Sequence, residues 1–396
     1  MSTEKRVVWT VAGVQLMNVL DFMIVMPLGD DFSKALDIAQ SDVGYVAGAY
    51  TAAAFASGII GARFLDRFDR KRVLLFAMAG LALGTVMGGL AVGLGSMIAA
   101  RIVAGLFGGP ATATSLAIVA DVVPVERRGR AMAVVMAGFS VASVIGLPLG
   151  LVLARQGSWR TPFFVIAALV AITLVLAAVW MPPLTGHLAQ KRAQTPAREL
   201  LARKEIAFGL ATTGFVMLSV FSIVPQIPVY LINNLGYPRD RYELLYLAGG
   251  IVSFGVLRFA GRWVDRSGSL PVIVAGTVVA LISLATGFLH EPPFVPIMLS
   301  FVLFMASGSL RGVAQSTLAT KLPAPHERAQ YMSLQSAVQH AAGTLGSVVT
   351  AVLLTTDKLT KQVSPMWLVA LIAMVAAALA PICLAASERY LARRHA

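Results

Sequence analysis

Gly61–Arg72 reads GARFLDRFDRKR, and Gly261–Gly268 reads GRWVDRSG. The Asp-Arg pairs they contain, Asp66-Arg67 and Asp265-Arg266, lie 199 residues apart. A second echo has nearly the same offset: Pro124-Val125-Glu126-Arg127 and Pro325-His326-Glu327-Arg328 are 201 residues apart. Two matches at offsets within two residues of each other mark an internal repeat of about half the chain. Each copy sits in a short polar segment between long apolar runs, so the runs decide what is being repeated.

A hydrocarbon core of about 30 Å needs roughly 20 apolar residues per helix. Twelve such stretches occur, at 7–28, 43–64, 73–93, 96–120, 131–154, 161–181, 206–231, 242–260, 271–289, 294–318, 331–355 and 365–386; they are called spans 1 to 12. No run shows the strict alternation of a membrane β-strand. Span 1 follows Lys5 and Arg6 as a signal peptide would, but it is too long for such a segment, carries Asp21 and Pro27, and lacks a small-residue cleavage site. It reads as a retained helix. The expected fold is all-α and integral to the membrane, with 12 transmembrane helices in two pseudo-symmetric six-helix bundles. The bundles cover 1–181 and 206–396, and the polar segment 182–205 joins them. Two parallel repeats related by an axis along the membrane normal are a transporter arrangement.

Composition agrees. Of 396 residues 57% are hydrophobic and only 13% charged, against about a quarter in soluble domains. A net charge of +13 in a soluble chain would suggest nucleic acid as a partner. Here most of it marks topology. The segments on the side of the termini hold 23 basic residues and the opposite loops 7. That bias puts both termini in the cytoplasm. Cys383 is the only cysteine, which excludes a disulfide framework and a multi-cysteine metal site. No phosphate loop, nucleophile elbow or HExxH is present, so no catalytic residue, cofactor or metal is expected, and nothing suggests an enzyme.

Further elements strengthen the reading. Arg101-Ile-Val-Ala-Gly105 lies in span 4, Gly138 and Gly146-Leu-Pro148-Leu-Gly150 lie in span 5, and Trp159-Arg160 with Phe163 precede and begin span 6. Together with the loop pairs they make the whole chain resemble the major facilitator superfamily. The loop between spans 2 and 3 resembles that family's G-x-x-x-D-R-x-G-R-K-R element. It departs from it where Ala62 stands four before Asp66 and where Asp69 replaces the second glycine. The span 4 and span 5 elements resemble those of proton-driven exporters, similar to drug and sugar efflux permeases. The resemblance implies alternating access, a small-molecule substrate such as a drug, sugar or organic anion, protons as the coupled ion, and a monomer in the inner membrane. An importer, a lipid or peptide exporter, a passive facilitator and a membrane scaffold are the alternatives.

A carboxylate can cap a helix N-terminus. Asp66 and Asp265 are therefore expected to act in gating loops, against spans 11 and 5, with Arg67, Arg70 and Arg266; the basic cluster Arg70-Lys71-Arg72 is also placed to pair with Asp121 at the end of span 4. Asp30, Asp31, Asp37 and Asp42 read as a solvated face of the first outer loop. Gly80, Gly84 and Gly88 repeat at i+4 in span 3, a pattern of close helix packing. Pro225 and Pro228 are expected to break span 7, with Gln226 beside them facing the pathway.

A charge at mid-bilayer costs about 2.5–3.5 kcal/mol on the mildest scale, so each one needs a partner or a task. Asp21 lies roughly 21 Å from the cytoplasmic start of span 1, and Arg101 lies at a similar depth in span 4, so the two can meet. Asp21 is the candidate proton carrier and Arg101 its modulator. Gln15, Asn18 and Phe22 share a face of span 1 suited to lining a cavity. In the second half the candidates for the substrate cavity are Gln226, Arg311, Gln315, Gln339 and His340, with Gln335 nearby. This is a cationic cluster with no acid, suited to an anionic or polar substrate; His340 alone, without a second ligand at metal spacing, is a poor metal site.

Overall fold

A computed structural model describes residues 3–395 apart from 65–66, 125–126, 128–130, 133, 136, 139–140, 190–196, 292 and 325–326. Asp66 and Glu126 of the paired loops thus lie outside the described residues. Ten helices among the described residues are long and apolar enough to cross a membrane. The other two spans are also helical. Span 5 is seen as a π-helical turn, Ala142–Gly146, running into the helix Leu147–Gln156. Span 11 is the 26-residue helix Arg328–Leu353, whose Gln335, Gln339 and His340 lower its hydropathy. Helices dominate because lipid offers backbone groups no partner, and an α-helix satisfies them internally.

Contacts divide the chain into two compact units, Met1–Ile38 with Tyr45–Arg192, and Ala39–Gly44 with Ala193–Ala396. In the first unit span 1 packs on spans 4, 5 and 6, and span 3 on spans 4 and 6. In the second unit span 7 packs on spans 10, 11 and 12, and span 9 on spans 10 and 12. These five pairings of the first unit recur six spans later in the second, so the repeat read from four short loops extends to helix packing.

Hydrocarbon is as apolar as leucine, so close van der Waals packing has to hold such bundles together. Small residues supply it. A Cβ on Gly84 would lie 2.7 Å from the Ala104 Cα, and one on Gly88 2.8 Å from the Phe163 ring. Gly138, Gly146 and Gly150 of span 5 receive Leu16, Leu20 and Ile24, one turn apart on span 1. The outward face of span 6 instead exposes Leu169, Ile172, Val175 and Val179, an apolar surface that fits lipid.

Two sequence expectations need correction. Span 8 does not end near 260: the helix Tyr242–Ser267 runs on to Gly268, whose φ of 85° closes it. Hydropathy marks where a span becomes polar, and nothing before Gly268 breaks the helix, so Asp265 and Arg266 are helical rather than loop residues. Asp30 is not solvated; the short helix Gly29–Ala35 buries it and brings Lys34 to its carboxylate at 2.9 Å. Between spans 11 and 12 a small hairpin forms, pairing Thr355–Thr356 with Val363–Ser364.

That hairpin turns on Asp357, whose Oδ1 accepts from the Thr360 amide at 2.7 Å, the Leu359 amide at 2.9 Å and the Thr360 hydroxyl at 3.0 Å. The Thr360 amide foremost, then its hydroxyl and the Leu359 amide, hold the exposed carboxyl below its ordinary range. A depressed carboxylate stabilises its fold above the unfolded pKa and loses that contribution as pH falls through the folded one. Amide exchange at Leu359 and Thr360, corrected for intrinsic rate, is expected to lose protection only in that acidic window. Protection that stays constant through it would contradict the turn's dependence on the ionised carboxyl.

Candidate functional site

In the first unit the polar residues of span 1 converge on spans 2, 3 and 4. Asp21 is fully buried and Arg101 is 1% exposed. The Arg101 Nη1 donates to Asp21 Oδ2 at 3.1 Å. The other carboxylate oxygen, Oδ1, is 2.7 Å from the Thr85 hydroxyl, which also lies 2.8 Å from the Leu81 carbonyl. One hydroxyl proton is thus divided between two acceptors. One turn earlier, Asn18 donates to the Gly108 carbonyl at 3.0 Å and to Thr112 at 2.6 Å. It accepts from the Tyr50 hydroxyl at 3.0 Å. Tyr50 ties the two groups together: its ring centroid is 4.7 Å from the Arg101 guanidinium and 4.9 Å from the Phe22 ring. The Nε of Arg101 and Oε1 of buried Gln15 have no partner among the described residues.

The glycine four residues after Arg101 has a steric cause. A side chain at Gly105 would fall onto the Tyr50 backbone carbonyl, and one at Gly108 onto the Tyr50 hydroxyl and the Asn18 amide oxygen. Span 4 must therefore be bare where it crosses span 2, and the arginine one turn away is held over the ring. Tyr50, Thr85 and Thr112 were missed in the sequence reading. Thr85 lies about 18 Å along span 3, within one turn of the depth of Asp21, and that was the one signal available. Removing the phenol as Tyr50→Phe leaves Asn18 Oδ1 without its donor, a loss of about 1–3 kcal/mol for a buried group. A lowered Tm in detergent is expected, and an unchanged one would contradict the network.

In the second unit, span 7 offers hydroxyls to spans 10 and 11. Gln315 Nε2 donates to Thr213 at 3.0 Å and Gln335 Nε2 to the same oxygen at 3.4 Å. Arg311 is fully buried and reaches the Ser219 hydroxyl at 3.3 Å with Nη1. Its Nε and Nη2 have no partner among the described residues. Gln339 and His340 are half-buried on span 11, and no hydrogen bond joins His340 to Arg311 among the described residues. Span 7 breaks after Phe221 at the prolines, as expected, and continues through the turn Val224–Gln226 to a π-helical end, Tyr230–Asn234. Gln226 is fully buried and donates to the Ser41 carbonyl at 3.1 Å.

At the ends of the spans, Arg70 Nε lies 3.3 Å from Asp121 Oδ2, the pairing expected from sequence. Asp69, in place of the family glycine, caps span 3 at the Lys71 amide and also accepts from the Leu184 amide, both at 2.9 Å. Arg67 is exposed. Asp265 and Arg266 are exposed too, and no hydrogen bond or ion pair of theirs occurs among the described residues. The sequence reading missed Arg203, which holds the buried Glu327 at 2.9 Å.

A family profile described as Major Facilitator Superfamily matches residues 11–347 and 209–395. The MFS-type transporter YbcL of Bacillus subtilis (strain 168) is 27% identical over 64% of this chain and 65% of its own length. The multi-drug resistance efflux pump PmrA homolog of Lactococcus lactis subsp. lactis is 27% identical over 76% of this chain and 77% of its own. Among solved structures, the D-xylose-proton symporter superposes with a TM-score of 0.76 over 96% of this chain and 97% of its own, at 16% identity.

Proposed function

The chain belongs to the major facilitator superfamily, and from that premise we propose that it exports a small molecule by alternating access, driven by proton entry through Asp21. One observation carries the reading: a fully buried carboxylate whose charge, among the described residues, is met by a single guanidinium at 3.1 Å and whose other oxygen holds only a shared hydroxyl. A static buried pair normally has its remaining polar atoms satisfied. Here Arg101 Nε has no partner among the described residues, and the guanidinium lies over an aromatic face that can hold its charge when the pair opens. A carboxylate in hydrocarbon is neutralised by a cation or by a proton. If Arg101 draws away from Asp21 while keeping the Tyr50 ring, a proton takes its place on Asp21, and when Arg101 returns the proton leaves. Opening the pair to opposite sides in the two states of the cycle couples proton entry to export.

Gln15, Asn18 and Phe22 line the substrate path beside this pair, and Gln226, Arg311, Gln315, Gln339 and His340 serve it in the second unit. Arg70 with Asp121, Asp66, Arg67, Asp265 and Arg266 serve as gating residues, with both termini in the cytoplasm and the protein working as a monomer in the inner membrane. The direction is supported by the efflux name of the Lactococcus relative and by the span 5 glycine-proline element. In proteoliposomes, an imposed pH gradient is expected to drive flux of a substrate identified by a binding screen. Flux indifferent to the gradient would identify a passive facilitator instead.

A further inference from the structure

The two units treat their buried arginines differently. Arg101 has Asp21 in contact. Arg311, just as buried, has among the described residues only the Ser219 hydroxyl at 3.3 Å, and the ion pairs seen there in the second unit, Arg203 with Glu199 and Glu327 and Arg394 with Glu205, do not include it. An uncompensated charge inside a membrane helix is costly enough that it persists only with a task. The bundle also makes room for it. Span 9 is bare at Gly276, where a Cβ would lie 2.9 Å from the Arg311 Cγ, so the arginine stem passes through the crossing of spans 9 and 10. The polar side chains beside it are neutral: Gln315 and Gln335 both donate to the Thr213 hydroxyl, and Gln315 Oε1 has no donor among the described residues.

We infer that the missing counter-charge is the substrate's, and that Arg311 is the binding group for a carboxylate. Resting on the transporter reading above, this names its cargo as an organic anion. Nε and Nη2 are adjacent nitrogens along one edge of the guanidinium, the edge that meets both oxygens of a carboxylate in parallel hydrogen bonds. Nη1 stays on Ser219 and fixes the plane. Gln315, one turn along the same helix, offers an acceptor to a hydroxyl or ammonium hydrogen beside the carboxylate. A lipophilic cation, by contrast, would meet a buried positive charge with nothing to offset it.

The test is thermal stabilisation of the full chain in lipid-free dodecyl maltoside micelles by benzoate, against its neutral isostere benzamide. Benzoate is expected to raise Tm and benzamide is not. Arg311→Gln is expected to weaken the benzoate response at least tenfold in apparent affinity, and Arg311→Lys, which keeps the charge but not the fork, to weaken it as well. Ser219→Asp covers the case in which these variants fail to fold. By supplying an internal partner it is expected to raise Tm above the wild type while abolishing the benzoate response. Equal responses to benzoate and benzamide, no response to benzoate in the wild type, or a Ser219→Asp chain that is less stable and still responds would each overturn the inference. Binding in micelles needs no gradient, so this result stands apart from whether transport is proton-coupled.

Discussion

Asp21→Ala is expected to lower stability by about 3–5 kcal/mol, because it leaves Arg101 charged, buried and without its carboxylate. The pair is 3.1 Å apart with side chains 0% and 1% exposed, so screening by water does not soften the loss. Removing both charges, as Asp21→Asn with Arg101→Gln, is expected to recover most of the lost Tm, since no bare charge remains. A thermal melt in detergent reads both variants. If Asp21→Ala melts with the wild type, the two groups are not a coupled pair and the proposed proton site loses its basis. The same comparison separates structure from function: the double variant is expected to fold yet fail to respond to a pH gradient.

The second large effect is steric. Gly105→Ala puts a methyl group onto the backbone carbonyl of Tyr50, and it also lies 3.0 Å from the Ala53 Cβ. Both spans are regular helices there, so neither carbonyl nor Cβ can turn aside, and relief requires pulling span 4 away from span 2. That motion removes Arg101 from the Tyr50 ring and separates Tyr50 from Asn18, so packing and the polar network fail together. The expected loss exceeds the roughly 1–3 kcal/mol of ordinary overpacking, seen as little monodisperse protein on size exclusion. Gly255→Ala is the matched control, because nothing lies within 4 Å of a Cβ there and span 8 gains a better helix former. Equal yields from the two variants would show that the span 2–span 4 crossing is looser than described.

Much of this was legible in the sequence, because lipid imposes strong rules. Twelve apolar runs and two loop echoes led to the helices and to their repeated pairings. Asp21 and Arg101 could be matched by depth alone, since each is the one buried charge of its span. Tyr50, Thr85 and Thr112 could not. A hydroxyl in a membrane helix commonly bonds its own preceding turn, as Thr85 does with Leu81, and sequence does not reveal that it turns at the same time to Asp21. Asp30 was misread because a single turn of helix, rather than composition, decides whether an acidic loop meets water. The end of span 8 was misread because hydropathy follows the bilayer while the helix follows the backbone. Arg203 was passed over because its partner, Glu327, stands more than a hundred residues away on the far side of the repeat.

The central claim is that Asp21 carries the coupled proton. It is tested most directly by proton flux itself, recorded with a trapped pH indicator in proteoliposomes when a transported substrate is added under a pH gradient. Wild-type protein is expected to show substrate-dependent acidification of the compartment that receives the protons, and Asp21→Asn, which keeps the shape but cannot carry the proton, is expected to show none. Substrate-driven proton movement of wild-type size in Asp21→Asn would contradict the account.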